Sequence, residues 1–224
     1  MLDLDEAPYE EVRDSLNDVA TVNRYLSGYR VLLHHAGKFL KEHSLDRPFT
    51  VLDAATGSAD QPVALVKLAR KLGVPIQITA IDINSKMLKM AKDEIFQYPE
   101  IRLVQCDVLA LPFKDEGFDL AVNNLSLHHF SWDNAVAIIK SIYKSARLGI
   151  LVNDLHRSRI AHAVIFLLTR IFTRNRLTRY DAPVSVMNAF TPSEFRELAV
   201  QAEIIPFEVY RHFPYRIAFL GKKK

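Results

Sequence analysis

Apolar residues recur along this chain in two rhythms. Short apolar or alternating runs near 49–54, 77–82, 101–105, 118–124 and 149–154 predict β-strands. Between them, apolar positions three and four apart predict helices near 61–73, 85–96, 133–146, 159–173 and 192–202. Strands alternating with helices imply an α/β fold with a parallel sheet covered on both faces. Local signals support the boundaries. Pro62 sits where a first helical turn tolerates it, Asn84 or Ser85 can cap the next helix, and Thr191-Pro192-Ser193-Glu194 reads as a capping box. Ahead of this array, Val12, Leu16, Val19 and Leu26 suggest one helix, and Leu32, Leu33, Ala36, Phe39 and Leu40 a second, with Ser27-Gly28 as the break. At the other end, β-like runs over 204–211 and 215–221 leave no room for a helix between them, which predicts an antiparallel hairpin. The sheet so read has seven strands, mostly parallel.

Composition narrows the class. With 224 residues, 49% hydrophobic and 25% charged, the chain can bury one substantial core. The net charge of +3 is too small to argue for a nucleic-acid partner. Cys106 is the only cysteine, so no intrachain disulfide can form, which fits a reducing compartment. The segment Met1-Leu2-Asp3-Leu4-Asp5-Glu6 lacks the apolar stretch of a signal peptide, and no run is long enough to span a bilayer. The expectation is a cytoplasmic protein.

The chemistry concentrates at strand ends. Val51–Asp60 is a strand running into a small-residue turn and then a helix, a geometry that lets backbone N–H groups approach a ligand closely. The next strand ends in Asp82, whose carboxylate can accept from both hydroxyls of a ribose. Together they point to a nucleoside-containing cofactor.

Four segments in order carry a resemblance. They are Val51–Asp60, Ile81-Asp82-Ile83-Asn84, Cys106-Asp107-Val108 with Leu111-Pro112-Phe113, and Phe118–Asn124 continuing through Leu125-Ser126-Leu127-His128-His129-Phe130. In these the chain resembles the class I S-adenosylmethionine-dependent methyltransferases, in the small-molecule branch that includes quinone-biosynthesis and phenolic or polyketide-tailoring enzymes. The resemblance implies a Rossmann-like sheet. It implies a helical cap over residues 1–48 and a methyltransferase domain over 49–224, with a lid helix near 159–173. It implies cofactor contacts from Asp53, Ala54, Ala55, Thr56 and Gly57, ribose binding by Asp82, and packing of Ile83 on the adenine. Asp107 and Val108 would meet the adenine edge, Asn124 and Leu125 the methionyl part, and Arg24 the cofactor carboxylate or the acceptor. The implied products are S-adenosylhomocysteine and a methylated small acceptor, aromatic or polyketide-like. A phenolic or enolic hydroxyl is the first expectation, and a quinone-type ring carbon or a non-catalytic cofactor-binding subunit the alternatives.

One departure stands out: Ala55 and Ala59 replace two of the three glycines usual in the first motif. Alanine resists positive φ, so the expectation is a turn kept at negative φ, with some loss of cofactor affinity.

Other positions carry two readings each. His156, oriented by Asp154, would be a base for the acceptor proton, or Asp154 would cap a helix that holds His156 in its first turn. Of the adjacent pair, His129 is taken as the pocket residue, with no metal site expected. Ile160, Val164, Leu167, Leu168, Ile171 and Phe172 form an apolar stripe ringed by arginines. Its leading reading is a core-packing helix; a lid or a lipid-facing surface are the others. A nicotinamide oxidoreductase is disfavoured, since Ala55–Asp60 is not G-x-G-x-x-G. Amino methylation of nucleic-acid bases lacks its Pro-Pro motif after strand four, where Asn123-Asn124-Leu125-Ser126 stands.

Overall fold

The structure, a computed structural model, describes residues 8–223. Two helices come first, α1 (Tyr9–Tyr25) and α2 (Gly28–Glu42). Then follow β1 (Phe49–Ala54), α3 (Asp60–Leu72), β2 (Ile76–Asp82), α4 (Ser85–Glu94), β3 (Ile101–Gln105) and β4 (Phe118–Asn124). A 3-10 turn at Leu127–His129 leads to α5 (Trp132–Ser145) and β5 (Ala146–Leu155). The chain closes with α6 (Arg159–Phe172), α7 (Arg176–Asn188), α8 (Pro192–Gln201), β6 (Phe207–His212) and β7 (Arg216–Lys222).

The seven strands form one sheet in the order β3-β2-β1-β4-β5-β7-β6. Strands β1 to β5 are parallel, whereas β7 runs antiparallel to β5 and β6 antiparallel to β7. The expected architecture, α/β with a C-terminal antiparallel hairpin, is the one observed. Period-two alternation explains its two cores. Val51, Ile78, Leu120 and Leu151 point to the face covered by α2 and α3. Leu52, Ile81, Ala121 and Ile150 point to the face covered by α5 and α8. Each such valine, leucine or isoleucine side chain, fully buried, stabilises the fold by roughly 1.5–3 kcal/mol. The predicted caps form: Asn84 accepts from the N–H groups of Lys86 and Met87, and Thr191 with Glu194 makes the full capping box.

Three features depart from expectation. The apolar pattern predicts no helix where α7 lies, because Pro183 interrupts it and its buried residues, Leu177, Thr178, Pro183 and Val186, are too sparse for a clear stripe. Helix α2 lies in the main core through Val31, Leu32, Ala36, Phe39 and Leu40, as a layer helix beside α3. Helix α6 is not a core helix, since only Ala161, Ile165 and Thr169 are buried on it.

The two ends of the sheet are built differently. At the amino end, Asp119 of β4 is fully buried. Arg47 grips it with two hydrogen bonds of 2.6 Å, Arg147 adds a third at 2.6 Å, and the Thr50 N–H donates at 2.9 Å. Burial pushes this carboxyl up, but Arg47 and Thr50 outweigh it and hold the pKa at about 2. That end is an electrostatic clamp. The carboxyl end carries strain and unpaired polar atoms.

Candidate active site

The turn after β1 forms the floor. Ala55, Gly57 and Ala59 all take positive φ, at 60°, 58° and 62°. The expectation of a negative-φ turn is therefore wrong: the two alanines adopt the conformation that glycine would supply. The neighbours impose it. The Thr56 N–H donates to the Ile81 carbonyl at 2.8 Å, and the Gly57 N–H to Asp82 Oδ2 at 2.8 Å, so the turn is tied to the end of β2. Each alanine stores about 1–2 kcal/mol of strain in this conformation. A Cβ added at Gly57 would meet nothing within 4 Å, so the open side of the turn is free for a ligand.

Asp82 closes β2. Besides Gly57, its Oδ1 accepts from the Asn84 N–H at 2.9 Å. Each oxygen thus keeps lone-pair capacity for a hydroxyl. Burial raises its pKa, partly offset by these backbone donors. A cleft of about 190 Å³ opens beside it, lined by Ala55, Asp82, Ile83, Asp107, Val108 and Leu109, with Cys106 and Phe130 completing the wall. Five of the residues expected at the cofactor therefore share one cavity. Ile83 (63% exposed) and Leu109 (40%) offer apolar surface at its rim. Asp107 also turns the local chain, its Oδ1 accepting from the Leu109 N–H at 2.9 Å. Leu109 was not singled out from sequence, and Phe130 entered only as the end of the fourth segment.

Behind the turn lies an acidic group. Asp53 is buried, and Asn124 Nδ2 approaches its Oδ1 at 3.4 Å. Burial, with the charges of Asp60 and Asp82 nearby, pushes its pKa up to about 7. Burial raises Asp60 as well, although the Tyr29 hydroxyl donates to it at 2.5 Å. Ala54 is buried at the strand end. Leu125 takes a φ of 54°, and its N–H donates to the Asn153 carbonyl at 2.8 Å. The Oδ1 atoms of Asn124 and Asn153 are buried without a hydrogen-bond partner. Unsatisfied oxygens beside three carboxyl groups call for a cationic, donor-bearing ligand.

The histidines differ from expectation. His128 is buried, and its Nδ1 lies 2.6 Å from Asp154 Oδ1; its own N–H donates to Asp154 Oδ2 at 3.0 Å. The expected Asp154–His156 pair is thus replaced by an Asp154–His128 pair. The cause is register. In the parallel β4–β5 pairing Asn124 lies opposite Asn153, so the chain after β4 falls beside Asp154. Burial alone would raise Asp154, but His128 and the backbone donors overcome it and lower its pKa. His129, expected in the pocket, is exposed. His156 is half-buried against Tyr215, with its N–H donating to the Tyr215 carbonyl at 2.9 Å. Burial and the charge of Arg211 lower its pKa.

Arg216 was missed. It opens β7 opposite Leu155 and is 3% exposed. Its Nη2 donates to Asn23 Oδ1 at 3.0 Å, while Nη1 has no partner. Burial lowers its pKa to about 10, against the supporting charge of Asp154. No local pattern around Phe213-Pro214-Tyr215 marks it. The side chain of Arg24 lies outside the described residues.

The strand order and the carboxyl-edge cleft give this chain a Rossmann-like α/β fold of the kind that solved S-adenosylmethionine-dependent methyltransferases adopt. A family model described as a methyltransferase domain matches residues 51–149. Demethylmenaquinone methyltransferase of Lysinibacillus sphaericus (strain C3-41) is 22% identical over 149 residues, covering 66% of this chain and 62% of that protein. A 2-phytyl-1,4-naphtoquinone methyltransferase of Nostoc sp. is 37% identical over 83 residues, covering 36% and 35%. The chain thus spans less than two thirds of these relatives. Among solved structures, the plantazolicin methyltransferase in complex with SAH superposes with a TM-score of 0.68 at 14% identity, covering 100% of this chain and 92% of that one. A putative S-adenosylmethionine-dependent methyltransferase of Methanococcus maripaludis gives 0.64 at 15% identity, covering 98% and 96%.

The cofactor of that class fits the residues present. Asp82 suits the ribose, and Ile83, Val108 and Leu109 suit the ring faces. The open side of Gly57, the acids behind it and the unpaired Asn124 oxygen suit the cationic methionyl end.

Proposed function

We propose that this chain transfers a methyl group from S-adenosylmethionine to a small, largely apolar acceptor bearing an aromatic or enolic hydroxyl. The observation that carries the reading is the single cleft that gathers Asp82, Ile83, Asp107 and Val108 beside the Gly57 turn. The cofactor supplies an electrophilic methyl on a sulfonium. The protein's part is then to hold, orient and desolvate.

Asp82 orients the ribose, Asp107 and Val108 the adenine edge, and Asp53, Asn124 and the Ala54–Gly57 turn the methionyl end. Among the described residues, the 3-10 turn carrying His128 leads out of β4, and α7 packs on it; α1 packs on α7 in turn. In this reading α1 and α7 cap the carboxyl edge and exclude water.

His128 is the base. Its Nδ1–H is held by Asp154, which leaves Nε2 as the proton acceptor. Deprotonating a phenol or quinol activates both its oxygen and the adjacent ring carbon. The base therefore serves O-methylation first and quinol ring methylation as the second reading; the names of the quinone-methylating relatives favour keeping the second.

The test is transfer of a labelled methyl to a panel of phenols, quinols and enolic polyketides. His128→Ala should lower kcat by about 100-fold or more while leaving cofactor affinity unchanged. His156→Ala should fall much less. Equal turnover in His128→Ala and the wild type would remove the base assignment.

A further inference from the structure

Helix α6 has one buried stripe and one bare stripe. Ala161, Ile165 and Thr169 face the protein. Ile160, Val164, Leu167 and Ile171, at i, i+4, i+7 and i+11, lie along a different face and are 66%, 49%, 58% and 62% exposed. Phe172 extends the bare stripe at 79%. A soluble surface carries single apolar residues, but a continuous helical stripe marks a contact surface.

The charge around the stripe is one-sided. Residues 155–180 contain six arginines and no Asp or Glu, twice the net charge of the whole chain. Arg157 is paired with Glu194 and Arg176 with Glu11, and Arg179 donates to backbone carbonyls. Arg159, Arg170 and Arg174 are exposed at or just beyond the ends of the stripe. Arg170 lies over the Phe166 ring, 3.3 Å from its centroid, with its apolar stem along the helix.

We propose that α6 docks the protein onto a bilayer surface carrying anionic headgroups. The apolar stripe enters the acyl boundary, and the arginines meet lipid phosphates. Two alternative occupants fit worse. A second copy would bring two arginine-rich helices together, a like-charge contact. Closure over a bound acceptor would turn the stripe toward the cleft, whereas it faces solvent. Because α6 follows β5 after only His156-Arg157-Ser158, docking would hold the carboxyl edge of the sheet close to the lipid. The inference stands on the surface chemistry of this helix and not on methyl transfer.

The experiment is co-sedimentation of the full chain with two kinds of vesicle, pure phosphatidylcholine and equal parts phosphatidylcholine and phosphatidylglycerol. The wild type should sediment with the anionic vesicles and much less with the neutral ones, and added salt should weaken it. The double variant Leu167→Glu/Ile171→Glu should lose anionic-vesicle binding by roughly tenfold or more. Arg159→Glu/Arg170→Glu should lose the preference for anionic lipid. Leu167→Ser/Ile171→Ser serves if the glutamates disturb folding, read by melting temperature. Cofactor titration of each variant reports the methyltransferase reading separately. A wild type that ignores anionic vesicles, or apolar-stripe variants that bind as it does, would overturn the proposal. So would a dimer in light scattering that Leu167→Glu/Ile171→Glu makes monomeric while vesicle binding is absent, since the stripe would then be a self-association face.

Discussion

A carboxyl group buried among other carboxyls binds its proton tightly, and Asp53 shows what that does to both stability and binding. Its folded pKa of about 7 lies above the ordinary value of 3.8. The native state therefore holds more protons than the unfolded state between these values, and stability falls as pH rises through that window. Above pH 7 the full penalty remains. Asp53→Asn should accordingly raise the melting temperature at pH 8, with little gain at pH 4. The same change should weaken S-adenosylmethionine binding about tenfold at pH 8, because the ionised carboxylate complements a cation. Melting curves and titrations at the two pH values check both halves. Asp53 and Asp82 were readable as candidate site residues because each stands at or next to the end of a recognisable apolar strand before a turn. The partner of Asp154 was not. Its neighbour in sequence, His156, looked suitable, but pairing depends on which side chain β4 delivers across the sheet, and that is His128. Arg216 was hidden for the same reason, since its burial comes from α1 and β5 closing over it.

Elements were legible to the extent that their own periodicity matched their burial. All seven strands and the hairpin followed from alternation and spacing. Helix α7 did not, since Pro183 and a sparse apolar face disguise it. Helix α6 shows the converse, an amphipathic pattern whose apolar face was assigned to the core although the wide stripe is bare. Periodicity reveals that a face is apolar, not what covers it. One junction between elements is exacting. Gly149 in β5 has a φ of 150°, and a Cβ there would lie 2.2 Å from the Gly221 carbonyl oxygen of β7. Backbone cannot yield as a flexible side chain would. Gly149→Ala should therefore loosen β7 from β5 and destabilise the protein by about 1–3 kcal/mol. Denaturant unfolding measures the loss, and hydrogen exchange should show it in β7 before β1.

At the scale of the whole molecule the sheet is polarised. Its amino end is locked by Asp119 with Arg47 and Arg147. Its carboxyl end gathers positive-φ residues, raised acids and unpaired oxygens. Open α/β sheets bind ligands at that carboxyl edge, and strain concentrates where a ligand is to be held. In the proposed function this edge is a nucleoside-cofactor site organised by Asp82. Calorimetric titration with S-adenosylmethionine decides this, with NADH as the comparison and Asp82→Ala as the control. Such a site should give micromolar binding of S-adenosylmethionine, none of NADH, and loss of binding in a folded Asp82→Ala protein. Unchanged affinity in Asp82→Ala, or no affinity for S-adenosylmethionine in the wild type, would contradict it.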